Sequence, residues 1–333
     1  MQFGIFDQND ASGRDLARQY EERLALAELA DALGFDRWQV SEHHGTTLST
    51  APSPSVFLAA ASQRTKRLRL CPLVYLLPLY HPLRLAEEIG MLDALSGGRF
   101  EFGVGRGASP HEVGYFGVAP EEAVPRYEEA FAILMQALRD GRLSYKGKFW
   151  DFDDVVVSAR STHARPLWYA VGQPETAAWP AKQGMHIVAG GPAEKIGSVA
   201  KAFRTEFQAA YGAARAEPLI GAMRHIVVAR TDEEALSIGR AAWPRFHESF
   251  MRLWRRHGGE PRNIRPPAEF DTLVASGIGL AGSPRTVKTK LAELVETTGI
   301  TYLGASFVFG DMPFEAAQQS LTLFMEDVAQ GFR

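Results

Sequence analysis

Short apolar runs alternating with stretches of helical periodicity constrain this chain more than any other feature of it. Runs with strand character fall at 3–6, 37–40, 68–77, 99–104, 167–171, 186–189, 220–229 and 302–307. Between them, apolar residues recur at helical spacing, first at Leu26, Leu29, Ala30 and Leu33, then over 55–63, 82–95, 126–140, 176–183, 192–211, 232–257 and 315–332. The punctuation agrees. Gly34 stands where a helix C′ residue belongs, and Pro82 sits at a first helical turn, where no backbone N–H is needed. Ser283-Pro284 supplies an N-cap and an N1 proline for a helix ending near Thr298. Repeated strand-then-helix units require parallel pairing with right-handed crossovers. Eight of them predict an α/β fold, a (β/α)8 TIM barrel with insertions. The 333 residues show no break in composition, so a single barrel domain over 1–333 is expected, with excursions at 143–157 and 232–267. The polar, proline-bearing stretch 258–267 reads as a lid or an insertion. A doubly wound open sheet is the alternative, but no strand is followed by a dinucleotide glycine fingerprint.

Composition narrows the function classes. With 46% hydrophobic and 23% charged residues the chain is an ordinary globular one, able to build a core without staples. A net charge of −3 leaves no basic footprint for nucleic acid. No apolar run approaches the roughly 18 residues of a membrane span. The single cysteine, Cys71, excludes an internal disulfide framework and any zinc site of several thiolates. The opening MQFGIFDQND lacks the charged and apolar regions of a signal peptide, so a cytoplasmic location is expected.

In a barrel of this kind, reactive groups lie just past the C-terminal ends of the strands. That rule selects Ser41, Glu42, His43 and His44 after the second strand, and 75–81 after the third. It also selects Gly105, Arg106 and Gly107 after the fourth, and 172–176 after the fifth. Adjacent histidines at a strand end suit proton transfer near neutral pH; equally, one of them could serve structure and the other a subunit contact. There is no HExxH and no regularly spaced third ligand, so no metal is expected. The glycines around Arg106 allow close backbone approach, and its guanidinium suits a phosphate or an ordinary ion pair. The turn at 172–176 precedes a helix, whose free N–H groups could hold an anion.

These residues sit in segments that resemble the bacterial luciferase-like flavin monooxygenases. The segments are GFDRWQVSEHHG, PLVYLLPLYHPLRLAEEIGMLDALSGGRFEFGVGRG, PLWYAVGQPETAAWPAKQG, AGSPRTVKTKLAELVETTGI and TYLGASF. The resemblance implies a barrel binding FMN, or in some members the deazaflavin F420, at its C-terminal face, as a homodimer. It implies His43 as the catalytic histidine and Arg106 as the residue gripping the flavin phosphate. Gly172, Gln173 and Thr176 would add phosphate contacts, although the luciferase branch has a Glu-Ser pair where this chain has Gly172-Gln173. The flavin ring is expected against Leu73 and Val74, where the family often has a non-prolyl cis peptide. The active-site cysteine of the luciferases is replaced by Gly105, which is expected to open space beside the ring. Leu77, Tyr80, Tyr115, Trp168 and Trp179 either help to keep water out or simply pack the barrel. Glu87 aligns with an interface acid, with His44 as its partner.

The implied activity is a two-component monooxygenase. It would take reduced FMN from a separate, transiently bound flavin reductase and use dioxygen on a small organic substrate. No nicotinamide site is visible in the chain. The alternatives are an F420-dependent dehydrogenase that passes hydride without oxygen, and a non-catalytic flavin-binding protein.

Overall fold

Most strands of the barrel are short and largely buried, and they pair in parallel before the chain turns out into a helix. The computed structural model describes residues 1–161, 167–261 and 265–332. Among them the strands are β1 (Gln2–Asp7), β2 (Arg37–Val40), β3 (Arg69–Pro72), β4 (Tyr75–Leu76) and β5 (Phe102–Gly105). They continue as β6 (Arg142–Lys146), β7 (Asp151–Val156), β8 (Leu167–Ala170), β9 (His186–Ala189), β10 (Ile220–Val228), β11 (Gly279–Gly282) and β12 (Tyr302–Ser306). The main sheet runs β3-β2-β1-β12-β10-β9-β8-β5-β4 with every neighbour parallel. A parallel bridge between Leu70 and Phe100 brings its two ends together.

Helices α1 (Leu16–Leu33), α2 (Pro54–Arg64), α3 (Pro82–Leu95), α4 (Pro110–Tyr115), α5 (Ala123–Asp140) and α6 (Ala178–Gln183) follow the first strands. The remainder are α7 (Ala193–Tyr211), α8 (Asp232–His257), α9 (Phe270–Ala275), α10 (Pro284–Thr298) and α11 (Phe314–Leu323). Gly34 caps α1 in the left-handed region at φ 84°, and α10 begins behind Ser283 with Pro284 in its first turn. Among the described residues no helix is long and apolar enough to cross a membrane.

Two local departures from the sequence pattern matter. The run 68–77 does not form one strand: β3 stops at Pro72, the Leu73–Val74 peptide is cis, and β4 resumes at Tyr75. A further strand, β11, pairs with the distal half of β10, His225 to Val228. Its sequence, GLAG, has no β-branched residue and no alternation to announce it. The 143–157 segment contains the antiparallel pair β6–β7, outside the barrel sheet.

The barrel interior is filled in layers. Cys71, Leu73, Trp168, Val188 and Tyr302 form an apolar cluster. Next to it is a polar plug. Arg37 Nε donates to Glu101 Oε2 at 2.9 Å, Trp168 Nε1 donates to the same oxygen at 2.8 Å, and Arg69 Nη1 lies 3.2 Å from Glu101 Oε1. The Arg37 guanidinium also lies over the Trp168 and Tyr302 rings, 5.4 and 5.7 Å from their centroids. Burial alone would push the Glu101 carboxyl up, but the charges of Arg37 and Arg69 and the bonds from Arg37 and Trp168 hold it below its ordinary range.

Removing one partner of a buried pair strands the other charge, at a cost of about 3–5 kcal/mol. Glu101→Gln is therefore expected to lower the urea midpoint strongly, whereas Asp140→Asn, in the exposed pair with Arg139, leaves it unmoved. Equal midpoints for the two variants would show that the plug does not hold the barrel.

Candidate active site

The second strand ends at Val40, and the next four residues leave the sheet with alternating direction. Glu42 is buried. Its Oε2 accepts from the Leu76 N–H at 3.2 Å and the Tyr80 hydroxyl at 2.9 Å, while Oε1 lies 2.9 Å from His44 Nε2. Burial pushes the Glu42 carboxyl up; His44 and these donors oppose the rise without cancelling it. His44 therefore turns away from the barrel mouth, edge-on to Phe116 with centroids 4.7 Å apart. His43 turns inward.

The partner of His43 comes from α4, a six-residue helix that no periodicity announces. His43 Nδ1 lies 3.1 Å from Glu112 Oε1, which also accepts the His44 backbone N–H at 2.8 Å. Burial, the largest influence, would lower the imidazole pKa, but the Glu112 charge, its hydrogen bond and the Glu42 charge together outweigh it and the net direction is up. The Glu112 carboxyl is correspondingly held down, mainly by His43 against its own burial. Nε2 of His43 has no partner among the described residues. In sequence, Ser109-Pro110-His111-Glu112 reads as a capping box, which would have been the signal for Glu112. The structure spends that carboxylate on the histidines instead, and Ser109 makes no side-chain cap.

His43 and Glu112 border a cavity of about 370 Å³ at the C-terminal ends of the strands. Phe6, Leu73, Gly172, Met223, Arg224, His225 and Ser306 line it from the barrel, and Gly190, Gly191 and Lys195 from the turn into α7. Trp243, Phe246, Phe250 and Trp254 of α8 cover it, so the 232–257 helix forms the roof. Helix α4 braces that roof: His111 packs on Trp254 at 5.3 Å, and the Tyr115 hydroxyl lies 2.8 Å from His257 Nε2. In the following stretch, Pro261 and Pro266 line the cavity, and residues 262–264 lie outside the described residues.

The residues singled out in the sequence divide into two groups. His43, Leu73 and Gly172 meet at the cavity; Val74, Arg106, Gln173 and Thr176 do not line it. Val74 instead fills the space beside Gly105, where an added Cβ would lie 2.5 Å from Val74 Cγ2. That glycine admits the valine rather than leaving an opening.

Arg106 is exposed and makes no ion pair among the described residues, and its charge opposes the rise that burial imposes on the Tyr127 and Tyr169 phenols. The Tyr169 ring rests on Trp179 of α6 at 5.1 Å, so Arg106 and the turn before α6 flank the same aromatic patch. In that turn the Thr176 hydroxyl donates to the Gln173 carbonyl at 2.8 Å.

None of Leu77, Tyr80, Tyr115, Trp168 and Trp179 lines the cavity. Within one chain Glu87 accepts from the Ser158 hydroxyl at 2.7 Å rather than meeting His44. Among the described residues no three His, Cys, Asp or Glu side chains gather as a metal site.

Sequence reasoning passed over Glu112, the aromatic residues of α8, and the pair Arg224-His225. The last had a readable signal, since two basic residues interrupt an otherwise apolar strand run in a sheet expected to be covered on both faces.

Comparison with known proteins agrees with this geometry. The family model for luciferase-like monooxygenases matches residues 1–302. Uncharacterized protein y4wF of Sinorhizobium fredii is 42% identical over 319 residues, 95% of this chain and 92% of that protein. The oxygenase component of flavin-dependent trigonelline monooxygenase from Acinetobacter baylyi is 28% identical over 193 residues, 56% of this chain and 53% of that enzyme. This chain therefore spans about half the length of the trigonelline enzyme. Among solved structures, monooxygenase RslO1 from Streptomyces bottropensis superposes with a TM-score of 0.89 at 26% identity, with both chains covered completely. A family match from residue 1 to residue 302 and a relative 42% identical along nearly its whole length settle the kinship: the chain belongs to the luciferase-like monooxygenase family.

Proposed function

We propose that this protein is the oxygenase of a two-component system, taking reduced FMN from a separate flavin reductase and using dioxygen to oxidise a small organic substrate. The observation that carries this reading is His43. Its Nδ1 is held by Glu112, and its Nε2 is left free at an apolar cavity roofed by α8. A proton donor in a site shielded from water is what oxygen chemistry on a flavin needs from its protein. The trigonelline enzyme, an oxygenase component by name, supports the division of labour between two proteins.

The residues fit FMN. Arg106 offers a guanidinium without an ion pair among the described residues for a phosphate, beside a turn containing Gly172, Gln173 and Thr176. The Thr176 hydroxyl would have to leave the Gln173 carbonyl to donate to that phosphate. Leu73 and Val74 offer an apolar surface for the ring. When bound, the flavin supplies the reaction with dioxygen; the chain's own part is to hold it, to exclude water and to move a proton at His43 Nε2.

A homodimer through α2 and α3 belongs to the same proposal. Val56 is 71% exposed, and Met91 and Leu95 of α3 are more than half exposed, an apolar surface suited to a second copy.

Three measurements test these assignments. Arg106→Ala should weaken FMN binding by about 1.5–3 kcal/mol in a fluorescence titration, the worth of a hydrogen bond to a charged group; unchanged affinity would remove Arg106 from the phosphate site. The His43–Glu112 pair sets a pH dependence. Its folded pKa is raised, so the pair's contribution to stability is complete below the ordinary value near 6.5 and is lost as pH rises through the folded value. Glu112→Gln leaves burial opposed only by the Glu42 charge, and an NMR titration of the His43 ring should then move downward; a titration that stays put would detach Glu112 from His43. Finally, an oxygen electrode with reduced FMN, reductase and a substrate panel should record uptake. Turnover only with oxidised F420 as hydride acceptor, under anaerobic conditions, would replace the oxygenase reading with the dehydrogenase one.

A further inference from the structure

The cavity contains a charge that nothing among the described residues answers. Arg224 lies on β10 and lines the cavity, yet it is only 2% exposed. Its one hydrogen bond runs from Nη1 to the Met223 carbonyl, 2.8 Å away. Nε and Nη2 are buried without a partner, and among the described residues no carboxylate pairs with the group. Buried polar atoms are normally satisfied, and a buried cation is normally matched. Two orphaned donors on one guanidinium are therefore a site awaiting an acceptor.

The geometry of the orphans narrows the acceptor. Nε–H and Nη2–H form one edge of the planar guanidinium, with parallel donors spaced for the two oxygens of a carboxylate. The surroundings also favour an anion. Lys195, which has no ion pair among the described residues, lines the same cavity beside Gly190 and Gly191. It stands in the first turn of the 19-residue α7, whose N-terminus carries no side-chain cap. Glu194 in that turn is exposed, and the one carboxylate lining the cavity, Glu112, is already matched by His43. His225 is kept neutral by burial next to Arg224, its pKa pushed down to about 3. Its Nδ1, like the buried Ser306 hydroxyl one strand over, has no partner. Apart from Gln8, Thr46 and Ser109, which carry no charge, the rest of the lining is apolar or glycine, with Trp243 and Phe246 packed on the His225 ring at 5.0 and 4.8 Å.

We propose that Arg224 is the specificity-determining group of this cavity, and that the substrate is an organic acid whose carboxylate sits on the Nε–Nη2 edge while its cyclic or aromatic body lies against the α8 roof. The proposal rests on reading the cavity as the substrate site of a flavin-dependent oxygenase, but it is tested by binding alone.

The experiment is calorimetric titration of the full chain, with and without FMN, using benzoate, phenylacetate and cyclohexanecarboxylate, each against its methyl ester and primary amide. Inorganic phosphate is the control anion. At least one acid should bind about tenfold or more tightly than its neutral analogues, and phosphate should not displace it. Arg224→Gln should bring the acid down to the level of its ester, Arg224→Lys should keep part of the preference, and FMN affinity should change less than about twofold in both.

The proposal is overturned if acids and neutral analogues bind alike, if none of the acids binds, or if phosphate competes as well as they do. It is equally overturned if the Arg224 variants lose FMN rather than the acid, since Arg224 would then serve the cofactor. Should Arg224→Gln not fold, the wild-type comparison and Arg224→Lys decide. Acid preference in a protein that fails to bind FMN would sink the flavin reading and leave this one standing.

Discussion

A barrel of parallel strands has to fill its own interior, and this chain does so at one end with an ion pair. Arg37 opens β2 and Glu101 directly precedes β5, with β3 between them across the Leu70–Phe100 bridge, and the Trp168 indole N–H adds a hydrogen bond to the carboxylate. An unpaired charge there would cost more than the fold can spare, so strand register, the position of Trp168 and the stacking of Tyr302 are fixed together. Cys71 belongs to the same interior. Its thiol is fully buried, and burial first of all drives its pKa well above the ordinary value. Its burial and high pKa make it packing rather than chemistry. With one end plugged, the open end of the barrel is where polar groups can face a ligand.

At that end the chemistry is organised by two carboxylates in opposite electrostatic situations. Glu42 is pushed up by burial despite His44 and its donors; Glu112 is held down by His43. The difference sorts the adjacent histidines. His44 is consumed in fixing the loop to Glu42 and Phe116, which leaves His43 as the histidine facing the cavity. Because Glu112 sits on α4, and α4 also touches Trp254 and His257 at the end of α8, the histidine's partner and the cavity's roof are mechanically one unit. A displacement of α8 would be felt at His43 through that helix.

The alternation of strands and helices was legible because each barrel strand had to be apolar and each helix had to cover it. Ser283-Pro284 and Gly34 marked helix ends for reasons of backbone chemistry alone, and the structure has helix ends at both. What the residues could not announce were elements too short for a period. β11 is four residues of GLAG, and α4 and α9 are six residues each. Function suffered from the same gap, since Glu112 lies on one of these elements. Its spacing from Ser109 also has an innocent explanation as a helix cap. The roof was half visible. The periodicity of 232–257 gave the helix, but an amphipathic stripe does not say that Trp243 and Trp254 look down on a cavity instead of sideways onto a sheet.

The two arginines toward the open end of the barrel illustrate how solvation separates roles that sequence chemistry would merge. Arg106 is exposed and makes no ion pair among the described residues, so holding a phosphate would cost it little desolvation and would remain reversible. Arg224 has already lost its water in the folded chain, and its free edge is pinned in direction by the Nη1 bond to Met223. An anion arriving there meets a donor pair that needs no further ordering, which is the condition for discrimination rather than mere attraction. A neutral ligand of the same shape leaves that edge unsatisfied. Selectivity at such a site comes less from the acid it welcomes than from the cost of every molecule that cannot answer the charge.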